Sequence, residues 1–381
     1  MRHEAVVIGL GAAGAGALWA LARRGVSVVG IEQFDIAHDR GSSHGRSRLF
    51  RGGAAEGVAY VDLARRSLEI WRDLEASAGV ELVSLVGGVT IATAESELLR
   101  RTETAMRERE LPVDVFDADE LRRQFPQHRI RDEDRGLLDA ATGVVRPELA
   151  ITTAIDAAVA AGAVVHGGIR VDRIEQLAGG GHRIMLDDGD EIETSRVIVA
   201  GGAWTGRLVP ELSSDFIVRR AVLSWFQPKP GRESEFLPDR FPVFTREDQS
   251  VTGWGAPTID DYGVKIGLHD QAGYEIDDPA ANRADVAAWE LEGVEAFCAR
   301  QFDGLEPVAR HPRGCMITVT RDEHFSIGTL ESGVVLLAAC SGHGFKHSAA
   351  VGDLGARLAI DEDPELDLSL FDPYRFRTTQ Q

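Results

Sequence analysis

The stretch EAVVIGLGAAGAGALWALARRGVSVVGIE, residues 4–32, decides the fold class. Its aliphatic run over 4–9 predicts a buried strand, the glycines a tight turn, the Ala/Leu-rich run to about Arg24 a helix, and VSVVGIE a second strand ending on Glu32. Gly9, Gly11 and Gly14 form G-x-G-x-x-G, in which one glycine serves the turn, one the close approach of backbone to a pyrophosphate, and one helix-strand packing. Glu32 follows Gly11 by 21 residues, where a carboxylate accepts hydrogen bonds from an adenosine ribose and disfavours a 2′-phosphate. Strand, turn, helix, strand and terminal acid in that order predict a dinucleotide site that does not take NADP. The motif by itself does not separate FAD from NAD.

A chain of 381 residues buries a large core and suggests about two domains. Its net charge of −20 predicts repulsion from nucleic acid and anionic membranes. Residues 1–4 lead into AVVIGLG without the basic, apolar and cleavage regions of a secretory signal, and no apolar run approaches the ~18 residues of a spanning helix. A cytoplasmic protein without membrane contact is expected. Cys298, Cys315 and Cys340 are too few and too scattered for a disulfide framework or a paired-cysteine zinc site, and no metal centre is expected.

Three cationic features carry possible chemistry. GSSHGRSRLFRGG, residues 41–53, sets His44, Arg46, Arg48 and Arg51 between glycines. As a charge run it reads as a solvated loop; as the loop after a cofactor-binding unit it faces the ligand crevice, where a guanidinium grips a carboxylate. Lys265 and His269 are four residues apart in YGVKIGLHD and share a face if that segment is one strand; on spacing alone that face reads as solvent. Cys315 follows Arg310, His311 and Arg313, cations that favour a thiolate, although a lone cysteine is ordinarily a small buried hydrophobe.

Elsewhere, helix-like runs alternate with short strands from about 60 to 145, ELAITTAIDAAVAAG (148–162) reads as a helix, and RVIVAGGAW (196–204) as a strand returning to the first sheet. Residues 216–320 are richer in strands and aromatics. In GVVLLAACSGHGFKHSAAVGDL, residues 333–354, a buried strand ends on a bare glycine turn and a helix begins near Lys346, with Cys340 as a packing thiol.

Six collinear motifs resemble the monomeric sarcosine oxidase and N-methyltryptophan oxidase family of flavin amine oxidases: VVIGLGAAGAG, GSSHGRSRLFR, VIVAGGAW, GVKIGLH, GCMITVTRDEHF and SGHGFKHSAAVG. The resemblance spans essentially the whole chain and implies FAD, carried through a thioether from Cys315 to the flavin 8α-methyl group. It implies that Arg51 and Lys346 bind the substrate carboxylate, a task suited to one forked guanidinium and one ammonium. His44 and Arg48 match residues beside the flavin ring, where positive charge favours its reduced form. Lys265 matches the lysine that promotes reaction with O2, and His269 an active-site histidine at the amine end of the pocket. Ser42, Ser43, Met316, Gly342, Gly344 and Phe345 complete the implied cofactor contacts, Gly344 also lining the substrate pocket.

Trp254 and Ile317 stand where sarcosine oxidases usually have tyrosines, and Thr245 where they have an apolar residue, so the flavin machinery matches better than the pocket. The expected fold is α/β plus α+β: a glutathione-reductase-like FAD-binding Rossmann domain from residues 1–85, 146–215 and 321–381, and a mixed β-sheet substrate domain from 86–145 and 216–320. The expected function is FAD-dependent oxidation of a secondary (N-methyl or N-alkyl) amino acid by O2 in a monomer, giving an imine, then a primary amino acid, an aldehyde and H2O2. An oxidase of a cyclic imino acid such as pipecolate or of a glycated amino acid, and a flavin dehydrogenase with another acceptor, stay open. An NAD-dependent dehydrogenase would have no use for Cys315, and a non-catalytic nucleotide binder would have none for the cationic residues.

Overall fold

The computed structural model describes residues 2–53, 56–248, 251–269 and 274–377. The opening segment forms strand Arg2–Ile8, helix Ala12–Ala22 and strand Val28–Glu32. Because strand side chains alternate, Ala5 and Val7 pack toward the helices while Val6 and Ile8 enter a second core on the other face. A strand buried on both faces has to be aliphatic throughout, which is why AVVI shows no polar alternation.

Five strands run parallel in the order Val335–Ala338, Glu191–Val199, Arg2–Ile8, Val28–Glu32 and Val164–Gly167. Glu191–Val199 is long enough to serve twice, since its first half pairs antiparallel with His182–Leu186, which pairs in turn with Val171–Gln176. Ser326–Thr329 closes the other edge antiparallel. Helices Ala12–Ala22, Pro147–Ala160 and Ser348–Ala359 share one core with Val58–Ala78.

A second eight-stranded sheet has the order Arg310–Val319, Ile217–Phe226, Val264–Leu268, Val251–Ala256, Val243–Asp248, Gly88–Thr93, Asp134–Asp139 and Asp114–Phe116. It is mixed: Val243–Asp248 and Gly88–Thr93 run parallel and the remaining pairs antiparallel. Phe226, Phe236, Phe241, Phe244, Phe297 and Phe302 fill its core. A small sheet of Arg48–Phe50, Gly143–Val145 and Val83–Ser84 aims the basic loop at the junction of the two large sheets. No helix among the described residues is long and apolar enough to cross a membrane.

Candidate active site

One cavity of about 540 Å³ runs from the glycine turn, past the basic loop and Cys315, to the turn before Lys346. Gly9 has φ +87°, and a Cβ there would lie 2.5 Å from the Ala200 carbonyl oxygen. A Cβ on Gly14 would overlap the Gly9 carbonyl oxygen. The turn therefore admits no side chain at either place, and the start of helix Ala12–Ala22 stays open to the cavity. Glu32, 4% exposed, lines the cavity and accepts the N–H of Leu10 at 2.8 Å and of Phe34 at 3.1 Å. It braces the turn as well as offering an acceptor to a ribose.

Ser43 Oγ accepts the Ala12 N–H at 3.2 Å, and the Ser42 hydroxyl donates to the Met316 carbonyl at 2.6 Å. These bonds tie the basic loop to the first helix and to the strand that bears Cys315. Met316 contributes that carbonyl; its side chain is fully buried. Cys315 is 3% exposed and borders the cavity, with Arg48 Nη2 3.7 Å from Sγ. Arg310 and Arg313 are exposed, and His311 stacks on Tyr262 at 4.2 Å. The expectation that these three neighbours in sequence charge the thiol's surroundings is corrected: the cation beside it is Arg48, brought from the loop.

Lys265 is 1% exposed, so the solvent-face reading fails. Its ammonium donates to the carbonyls of Gly45 at 2.9 Å and Ser47 at 2.6 Å and lies 5.1 Å from the Trp225 ring centre. Burial, and then the Arg48 charge, hold it well below the ordinary lysine range. His269 does not share its strand face, because the strand ends at Leu268; the histidine is exposed on the following turn, at the cavity wall. His44 is 3% exposed, and burial followed by Arg48 and Lys265 pushes it down to about 3. The expected positive charge at His44 is therefore corrected to a neutral imidazole, which leaves the charge here to half-buried Arg48 and buried Lys265.

Arg51, Lys346, Thr245, Trp254, Ile317, Gly342, Gly344 and Phe345 all border the cavity. Cys340 also lies on its wall, half-buried, and not in a packed core. The two cations expected to bind a substrate carboxylate already share one from the protein. Glu56 Oε1 lies 3.0 Å from Arg51 Nη2 and 3.0 Å from Lys346 Nζ. Arg51 Nη1 also donates to Thr245 Oγ1 at 3.3 Å, and Lys346 to the His343 carbonyl at 3.0 Å. Burial works to raise the Glu56 carboxyl, but Lys346 and Arg51 hold it well below its usual range. Burial, only partly offset by Glu56, brings Lys346 down to about 8. Glu56 was missed in the sequence, where its one signal is that it is the lone acid in RGGAAEGVAY, five residues after Arg51.

The residues present fit a dinucleotide carrying a redox ring. The glycine turn suits a pyrophosphate and Glu32 a ribose, and Cys315 with Arg48 beside it, and Lys346, line the same cavity. Thr318 Oγ1 and His343 Nδ1, both buried on or beside the wall, lack hydrogen-bond partners among the described residues.

Residues 4–358 match the family described as FAD dependent oxidoreductase, DAO. The chain is 32% identical over 380 residues to a monomeric sarcosine oxidase from Streptomyces avermitilis, covering 98% of this chain and 97% of that one. It is 30% identical to an N-methyl-L-tryptophan oxidase from Yersinia pestis, covering 99% and 100%. Among solved structures it superposes on NikD, an unusual amino acid oxidase essential for nikkomycin biosynthesis, with a TM-score of 0.84 at 19% identity, covering 98% and 97%. It superposes on the L-proline dehydrogenase from P. horikoshii with a TM-score of 0.80 at 22% identity, covering 98% of each chain. With the glycine turn, the cavity and these full-length likenesses together, the chain belongs to the FAD-dependent oxidoreductases of the DAO family.

Proposed function

We propose that the protein oxidises the C–N bond of a secondary amino acid of the N-methyl or N-alkyl type to an imine, which water hydrolyses to a primary amino acid and an aldehyde, and passes the two electrons and two protons to O2 as H2O2. The observation that carries this reading is the pair of half-buried Arg51 and buried Lys346, at the cavity wall and gripping one carboxylate, that of Glu56. FAD, when bound, supplies the two-electron oxidation. The chain's own residues do the rest. Arg51 and Lys346 hold the substrate carboxylate, which fixes the position of the amine. Thr245, Trp254 and Ile317 line the space for the side chain and the N-alkyl group, and His269 stands at the open edge. Lys265 and Arg48 place positive charge on the Cys315 side of the cavity, where electrons are handed to O2.

Trp254 and Ile317 supply carbon surface where tyrosine hydroxyls would be polar, and this favours a cyclic imino acid as a second reading. A panel of N-methyl, N-ethyl and cyclic amino acids with peroxide detection separates the two; turnover of none of them defeats both. We assign residues 1–85, 146–215 and 321–381 to an FAD-binding domain and 86–145 and 216–320 to a substrate domain. The membership of the two large sheets supports this division.

We also propose that Cys315 holds FAD covalently, on the support of its place on the cavity wall beside Arg48. Acid precipitation is expected to leave the yellow colour in the pellet, and Cys315→Ala to release it into the supernatant. A colourless pellet from the unmodified protein rejects the linkage while leaving FAD binding intact.

A further inference from the structure

Glu148 stands in the first turn of helix Pro147–Ala160. Its carboxylate faces the basic loop: Oε1 accepts the Gly45 N–H at 2.6 Å and the Arg46 N–H at 3.1 Å, and Oε2 lies 3.2 Å from the same Arg46 nitrogen. The Gly45–Ser47 backbone is held on its carbonyl side by Lys265, through Gly45 O and Ser47 O. An anion thus grips the amides and a cation the carbonyls of the same short segment, each polarising the peptides toward the other.

That segment does not hold its shape unaided. Gly45 has φ +103° and Arg46 φ +65°, a left-handed conformation unfavourable for a residue with a side chain. A Cβ on Gly45 would overlap Leu223 and lie 3.2 Å from Lys265 Nζ, so backbone and ammonium are in close contact. The Arg46 side chain is anchored outward, paired with Asp260 at 2.5 Å and lying over the Tyr262 ring. It leaves the backbone amides to Glu148. Two residues on, Arg48 reaches the Ser42 carbonyl at 2.9 Å and approaches Cys315.

We propose that Glu148 is the positioning residue for Lys265: by gripping the Gly45 and Arg46 amides it fixes the two carbonyls that hold the lysine ammonium inside the protein. Its meaning for catalysis rests on the O2-handling role proposed above for Lys265, whereas the geometry is independent of it.

The sequence offers a direct reading, because the chain has three lysines, at 229, 265 and 346. Pulsed acetylation of the purified flavoprotein, followed by peptide mass spectrometry, reports each of them. Lys265 and Lys346 are 1% and 3% exposed, so they react through local opening, while the half-buried Lys229 calibrates the reagent. Loss of the charge-assisted bonds to two amides is expected to raise the Lys265 rate, relative to Lys346, about tenfold or more in Glu148→Ala. Glu148→Gln, which keeps an acceptor oxygen, is expected to fall between Glu148→Ala and the unmodified protein, and serves alone if Glu148→Ala does not fold. Asp156→Ala, at an exposed acid of the same helix, is expected to leave the ratio unchanged. An unchanged Lys265 to Lys346 ratio in the Glu148 variants overturns the proposal. So does an equal rise at both lysines, the mark of general destabilisation. Labelling involves neither substrate nor O2, so failure of the O2 role would show in oxygen kinetics and leave this result untouched.

Discussion

In Lys265→Met, consumption of O2 by the substrate-reduced protein is expected to slow by about two to three orders of magnitude, while anaerobic reduction by substrate changes far less. The first electron transferred to O2 creates a negative charge, and a buried ammonium lowers the energy of that charge. At about 4 Å and an effective dielectric near 20, a unit charge pair is worth ~4 kcal/mol, roughly a thousandfold in rate. The ammonium is preorganised for this work. The carbonyls of Gly45 and Ser47 hold it in a site that is 1% exposed, and two of its three N–H donors are engaged there. Because burial and Arg48 hold its pKa well below the ordinary lysine range, the charged form is present below that lowered value and is lost as pH rises through it. The oxygen reaction should therefore decline at a lower pH than a solvent-exposed lysine would dictate. Lys265→Arg keeps the charge and should retain part of the rate. Stopped-flow mixing with O2 after anaerobic reduction checks both variants, and an O2 rate in Lys265→Met equal to that of the unmodified protein sinks the assignment.

What was legible in the sequence was local or periodic. The glycine turn is encoded by three residues in a row of six, and its strands by aliphatic runs long enough to be buried on both faces. The junction of the two sheets was not legible, because it is made by contacts without period. Lys346 meets Glu56 across 290 positions, and Gly45 meets Glu148 across 103. The same limit explains the errors. Arg310, His311 and Arg313 are Cys315's neighbours along the chain, but Arg48 is its neighbour in space. His44 carries a cationic side chain's name, yet its charge depends on burial and on Arg48 and Lys265, which no local pattern reports. His269 was placed on a strand face by counting in twos, and the strand stopped one residue short of it.

Glu56 makes the second large prediction, since it occupies the donors proposed for the substrate carboxylate. Arg51→Gln and Lys346→Met are each expected to raise KM for the amino-acid substrate by roughly 10- to 100-fold, the worth of a charge-assisted hydrogen bond in a largely dry site. Glu56→Gln should act in the opposite direction. The Glu56 carboxylate lies 3.0 Å from both cations, so a substrate carboxylate bound by them has to displace it, and neutralising it removes that competition. The sign follows for pH as well. Lys346 has its pKa lowered to about 8, so its charge is complete well below pH 8 and is lost as pH rises through that value. The profile of kcat/KM, which reports the free enzyme, should therefore fall on its alkaline side near pH 8. Lys346→Arg, which cannot lose its charge in this range, should flatten that limb. In Glu56→Gln the limb should move to lower pH, because Glu56 is the group that holds the Lys346 value up against burial. His343 is pushed down to about 4 by burial and by Lys346, so it stays neutral across this range and cannot supply the limb. If Glu56→Gln raises KM as the cation variants do, then Glu56 helps to bind substrate and does not compete with it, and the reading in which a substrate carboxylate displaces Glu56 has to be given up for one in which Glu56 stays in place and holds the two cations in position.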